Sequence, residues 1–137
     1  SVITPDESTL IVGETFGSRM TAFQILEGGL LGNPRVWAET PGIHPDGCCL
    51  DEAGGIWVAD AGGGDVVRIV EGGETTDRIP MPDLGRPQKA YACMLGGNDG
   101  SVLHCITAPG AREVDTVGVG GGAIWTVSVE HPRAGLP

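Results

Sequence analysis

The feature that most limits the folds open to this chain is a short apolar run that returns at a fixed interval. Leu10-Ile11-Val12-Gly13-Glu14 aligns with Ile56-Trp57-Val58-Ala59-Asp60 at an offset of 46 residues, and the same offset lands on Val102-Leu103-His104-Cys105-Ile106. A turn precedes each run: Pro5-Asp6-Glu7-Ser8, Asp51-Glu52-Ala53-Gly54-Gly55 and Gly97-Asn98-Asp99-Gly100. Before each turn stands another apolar run, Val2-Ile3, Cys48-Cys49-Leu50 and Cys93-Met94-Leu95, and after each unit's central run comes a β-rich segment, Arg19 to Ile25, Asp65 to Val70 and Ala123 to Val129. Short β-branched runs bounded by such turns read as strands.

Two units add a fourth strand, Arg35 to Glu39 and Thr76 to Pro80, which makes a four-stranded meander of propeller-blade length. The expectation is one all-β domain over residues 1–137 with blades at about 1–41, 42–84 and 85–132. The third unit carries a Gly- and Val-rich excursion from Pro109 to Gly122, and after its third strand the run from Glu130 to Pro137 includes two prolines that cannot donate to a ladder. The last blade is therefore expected to lack its outer strand. No window holds apolar residues at helical spacing without an intervening Gly or Pro. A sandwich or jelly roll also has short strands and many turns, but the constant period favours blades.

Net charge is −10, with only 8 basic residues dispersed along the chain, which argues against binding a phosphate backbone. No stretch approaches the roughly 20 apolar residues of a membrane span, and the first residues lack the pattern of a signal peptide. No nucleic acid, no membrane and a cytoplasmic setting are expected. The four cysteines, Cys48, Cys49, Cys93 and Cys105, lack zinc spacing and read as buried reduced thiols. Cys93 and Cys105 fall on neighbouring strands and could meet, but the turn between them does not fix their register.

The segments Thr4-Pro5-Asp6 with Thr9-Leu10-Ile11-Val12, Pro45-Asp46-Gly47 with Leu50-Asp51, Gly55 to Asp60, and Cys93-Met94-Leu95-Gly96-Gly97 resemble the second half of SMP-30/gluconolactonase/regucalcin proteins. The closing Ala134-Gly135-Leu136-Pro137 is similar to the ends of bacterial members. The resemblance implies half of a six-bladed β-propeller and a divalent-metal-dependent hydrolase of sugar lactones or related esters. It also implies a cation, calcium, zinc or magnesium, held by a Glu, by an Asn of an Asn-Gly turn and by the Asp of a Pro-Asp-Gly turn. Only the last is present, as Asp46, which the resemblance makes both a metal ligand and a helper in activating water. It places the Asn-Gly turn just upstream of Ser1, and implies either a reading frame that begins inside an ancestral lactonase, a trimmed chain, or one half of a nicked one.

Beside this stands a purely structural reading, in which Asp46 caps its own turn. His44 is expected as a solvent-facing loop residue that could reach the same mouth. Glu14 and Asp60, at matching strand ends, are expected to serve blade geometry through turn-capping bonds. Trp57 and Trp125 should be core, and Trp37, flanked by Arg35 and Glu39, partly exposed. Gly62-Gly63-Gly64 and Gly120-Gly121-Gly122 read as hairpin turns, since neither precedes a helix or a Lys-Ser or Lys-Thr pair. The absence of a Gly-x-Ser-x-Gly elbow removes a serine-hydrolase reading. Three blades leave two apolar end faces, so a homodimer that closes six blades, or a complementary half-propeller, is expected as partner. The competing function is a non-catalytic propeller fragment acting as an assembly or binding module.

Overall fold

A computed structural model of the chain describes residues 1–135, so the Leu136-Pro137 end of the closing motif lies outside the described residues. Three antiparallel sheets follow one another, each ordered as its strands occur in the chain. The first holds β1 (Val2–Ile3), β2 (Thr9–Glu14), β3 (Arg19–Ile25) and β4 (Leu31–Glu39). The second holds β5 (Pro45–Leu50), β6 (Ile56–Asp60), β7 (Asp65–Ile69) and β8 (Thr75–Pro80). The third has only β9 (Lys89–Gly96), β10 (Val102–Ala108) and β11 (Ala123–Ser128). These are the meanders of three propeller blades, with β1, β5 and β9 innermost.

Among the described residues the last blade has no fourth strand, and the cause is visible. After β11 the chain turns away: Arg133 N donates to Gly100 O at 3.1 Å, Glu52 N to Pro132 O at 2.8 Å, and Ala134 N to Leu50 O at 3.1 Å. The segment is spent tying the β9–β10 turn to the β5–β6 turn, and Pro132 has no N–H to offer an outer ladder.

The middle blade is buried on both faces, which is why Ile56-Trp57-Val58-Ala59 is continuously apolar rather than alternating. Ile56, Val58, Val67 and Ile69 pack on Ile11, Met20, Ala22 and Trp37 of the first blade. On the opposite face Trp57, Ala59 and Val66 meet Ala90, Cys93, Leu95, Leu103 and Cys105 of the third. Trp37 departs from its expected partial exposure, being only 5 % exposed. Met20 pairs with Ala38 and its neighbour Thr21 with Val36, so Trp37 is an extra residue at a bulge. The bulge breaks the alternation that would have set Trp37 beside Arg35 and Glu39, and turns the indole inward.

The ladders also correct one interval of the repeat. Leu10, Ile56 and Leu103 occupy equivalent places, opposite Ile3, Leu50 and Leu95. The second spacing is thus one residue longer than the first, and Leu103 rather than Val102 matches Ile56. A one-residue slip exchanges the two faces of a strand, so it is Leu103 and Cys105 that point at the middle blade.

The end blades keep one face unpacked. On the third, Met94, Ile106 and Ile124 are 41 %, 37 % and 71 % exposed. On the first, Ile3 pairs with Leu10, Leu10 with Phe23, and all three stand on the face opposite the buried Ile11 and Ala22. The Pro109–Gly122 excursion links β10 to β11 and contains α1 (Glu113–Thr116). No helix among the described residues is long and apolar enough to cross a membrane.

Candidate functional site at the channel mouth

The site is built by two matching irregularities. In the middle blade Pro45 pairs with Asp60 and Cys48 with Val58, so Asp46 and Gly47 together face Ala59 alone. In the third blade Ala90 pairs with Thr107 and Ala92 with Ile106, which leaves Tyr91 with no partner on β10. Both inner strands therefore bulge at the same level, and Tyr91 stands in β9 where Asp46 stands in β5. Bulges of this kind re-aim a side chain away from the ladder.

Asp46 is exposed and its carboxylate makes no hydrogen bond among the described residues. The turn-capping reading of this residue does not hold, because Asp46 lies within a strand. Gly47 makes the local approach feasible: a Cβ there would lie 2.6 Å from Ala92 Cα and 2.9 Å from Tyr91 O, so β5 and β9 touch backbone to backbone at this point. Burial, then the charges of Asp115 and Asp46, push the Tyr91 phenol above its ordinary pKa. Asp115, on α1, is held by Arg112 through hydrogen bonds of 2.8 and 3.2 Å. The excursion thus adds the charge of a second acid, Asp115, to the surroundings of Tyr91, which the spacing of the sequence does not reveal.

His44 serves a different neighbour. Its backbone N donates to Asp60 Oδ1 at 2.9 Å, its Nδ1 lies 3.7 Å from the same oxygen, and its side chain is 45 % exposed. Gly62 gives the ring room, since a Cβ there would come within 2.2 Å of Nδ1. Asp60 also accepts from Gly62 N at 3.0 Å, which is the turn-capping role expected of it. Glu14 is also structural, but through side chains of the adjacent strand rather than a turn cap. It accepts from Arg19 Nε and Nη2 at 2.9 and 3.0 Å and from Thr21, so it is an ion-pair residue; the Arg19 and then the Thr21 hydrogen bonds hold its carboxyl below the usual range.

All four cysteines are free and buried. Cys93 and Cys105 are register partners, and Cys93 Sγ donates to Trp57 O at 3.3 Å. A hydrogen bond from the Cys93 thiol favours ionised Cys49 and lowers its pKa, while the same contact and burial push Cys93 well up. Desolvation raises Cys105 to about 11.

Among the described residues no three His, Cys, Asp or Glu side chains converge as a metal site. Hard cations such as calcium and magnesium take six or more oxygen ligands or water, and Asp46 offers one carboxylate. The residues of this single chain do not by themselves fit a divalent cation.

The model of the SMP-30/gluconolactonase/LRE-like region matches residues 2–109. The chain belongs to the SMP-30/gluconolactonase/LRE-like family. Within that family it is 31 % identical to regucalcin of Gallus gallus over 107 residues, 75 % of this chain and 34 % of the relative. It is 34 % identical to L-arabinolactonase of Azospirillum brasilense over 80 residues, 57 % of this chain and 27 % of that protein. The crystal structure of a calcium-binding protein, regucalcin, from Agrobacterium tumefaciens superposes with a TM-score of 0.74 at 22 % identity, over 96 % of this chain and 45 % of that one. A gluconolactonase from Xanthomonas campestris superposes with a TM-score of 0.63 at 28 % identity, over 96 % and 36 %. The family member described here thus spans about a third of the regucalcin relative and less than half of the solved propellers.

Proposed function

We propose that this chain is one half of a divalent-metal-dependent sugar-lactone hydrolase and becomes competent when a second half closes the propeller. The observation that carries the reading is the Asp46 carboxylate, exposed, free of hydrogen bonds and presented at a bulge at the mouth. A carboxylate so placed can take a proton from water as the water oxygen adds to a lactone carbonyl. Collapse of the tetrahedral adduct then breaks the ring C–O bond, the leaving oxygen takes the proton back from Asp46, and the hydroxy acid results. L-arabinolactonase and gluconolactonase among the relatives support the substrate class.

The remaining oxygen donors for calcium, zinc or magnesium would have to come from the other half, since this chain supplies one carboxylate. A second copy is the proposed partner, and it would bring a second Asp46 carboxylate to the shared channel, with water completing the shell of a hard cation. Three blades cover 45 % of the Agrobacterium propeller, so two copies supply a ring's worth, and the unpacked faces bearing Ile3 and Leu10 on one side and Met94, Ile106 and Ile124 on the other are of like, apolar character. The four free thiols support a reducing compartment, the cytoplasm.

One observation favours the alternative of a non-catalytic assembly or binding module: a lone carboxylate does not fit a cation. The two readings part on a titration. Sedimentation gives the assembly state, and millimolar calcium or zinc raises the melting temperature of the assembled protein through Asp46 if a metal site forms. Lactone hydrolysis lost in Asp46→Ala, at unchanged melting temperature without metal, supports the hydrolase. A stable monomer with no metal response and no hydrolysis leaves the module.

A further inference from the structure

We propose that Tyr91 is the substrate-orienting residue of this mouth, donating a hydrogen bond from its phenol to an oxygen of a neutral polyhydroxylated lactone. The proposal rests on the hydrolase reading for its substrate class and deepens it.

The first support is positional. Tyr91 is the unpaired residue of the β9 bulge, and its counterpart one blade earlier is Asp46, at a bulge opposing the equivalent residue of the second strand. Whatever geometry aims Asp46 at the mouth is repeated for Tyr91. The second is its lack of any structural partner. The phenol oxygen makes no hydrogen bond among the described residues, and the ring is half-buried rather than packed away in either core cluster. Tyr91 Oη is not among the buried unpartnered polar atoms, so the hydroxyl is open to an incoming ligand. The third is the company it keeps. A Cβ on Gly47, the neighbour of Asp46, would lie 2.9 Å from Tyr91 O, so the two bulges adjoin, and the Asp115 carboxylate of the excursion is already engaged by Arg112.

These groups select a chemistry. A phenol donates to a carbonyl, ring or hydroxyl oxygen, while the face of the ring offers apolar surface to sugar C–H groups. A neutral donor brings no charge to hold a phosphate, sulfate or carboxylate, so the ligand it suits is an uncharged lactone.

Tyr91 is the sole tyrosine of the chain, which makes it its own reporter. The full-length chain labelled with 3-fluorotyrosine is titrated with gluconolactam, an unhydrolysable analogue of a neutral aldonolactone, and followed by fluorine NMR. The single resonance is expected to move saturably. Tyr91→Phe is expected to weaken lactam binding about fivefold, the loss of one hydrogen bond between neutral groups, with the melting temperature unchanged. Where lactone hydrolysis is measurable, the same substitution raises KM more than it lowers kcat. A resonance that stays put under saturating lactam, in protein whose Asp46-dependent hydrolysis is intact, removes Tyr91 and leaves the hydrolase standing. A resonance that moves in protein without hydrolysis removes the hydrolase and keeps Tyr91 as a sugar-binding residue. No shift and no hydrolysis removes both.

Discussion

Arg68 grips Asp51 through Nε to Oδ2 at 2.6 Å and Nη2 to Oδ1 at 3.0 Å, with the two side chains 6 % and 0 % exposed. Asp51 also accepts from Ala53 N at 3.0 Å and Gly55 N at 2.9 Å, so one carboxylate caps the β5–β6 turn and anchors β7 together. Removing one partner strands a buried charge. Arg68→Met is therefore expected to lower unfolding stability by about 3–5 kcal/mol in urea titrations. A midpoint matching wild type would show that the pair is dispensable.

Gly47 and Gly122 should respond oppositely to the same substitution. A Cβ on Gly47 would lie 2.6 Å from Ala92 Cα, where backbone cannot yield cheaply, whereas a Cβ on Gly122 meets only Thr107 O at 3.7 Å. Gly47→Ala is expected to cost about 1–3 kcal/mol as an overpacked contact, and to disturb Asp46 and Tyr91 together. Gly122→Ala should be neutral or slightly stabilising. Equal unfolding midpoints for the two variants would contradict the close approach of β5 and β9.

Asp60 and Glu14 hold matching strand ends but should differ in weight. Asp60 is 2 % exposed and satisfies two backbone N–H groups, His44 N and Gly62 N. Asp60→Ala leaves those donors unpaired in the interior and is expected to cost about 1–3 kcal/mol. Glu14 pairs with Arg19 at the surface, and Glu14→Ala should barely move the urea midpoint. The reverse order would overturn the assignment of roles.

The thiols predict how stability changes in alkali. Burial raises the Cys105 pKa to about 11 from an ordinary 9.0, so the folded chain keeps a proton that the unfolded chain gives up. The contribution is fully present below about pH 9 and is lost as pH rises toward 11, at about 1.4 kcal/mol per pH unit for one such group. Cys48, raised by desolvation, and Cys93, raised by the Cys49 contact and burial, add to the fall; Cys49, lowered, opposes it. Urea unfolding at pH 8, 9 and 10 in reductant should show a slope that flattens in Cys105→Ala. An unchanged slope in that variant would mean that another group titrates.

Much of the fold is legible because propeller strands are short, apolar and bounded by turns, so Leu10 to Glu14 and Ile56 to Asp60 announce themselves by composition. Where the reading failed, bulges were the reason. Trp37 turned inward because an extra residue broke the alternation of β4, and Val102 was matched to Ile56 because one residue gained between blades is invisible when neighbours are all apolar. At the mouth, Asp46 was found through the Pro-Asp-Gly turn of the family resemblance. The bulge at Tyr91 gave no signal because Ala-Tyr-Ala has no motif, and only the pairing of Ala90 and Ala92 with adjacent residues of β10 marks it. Asp51 and Arg68, distant in sequence and each ordinary alone, carried no signal of their partnership.

The twin bulges also bear on how such a mouth could change its chemistry over time. A residue that stands outside its ladder makes no register-setting pair, so exchanging it leaves the strand alignments of its blade untouched. Positions 46 and 91 therefore behave as sockets at one height around the axis, each open to a new functional group with little effect on the blade that holds it. Selection could rewrite what this opening recognises one blade at a time, while the cysteine- and tryptophan-filled seams beneath stay fixed.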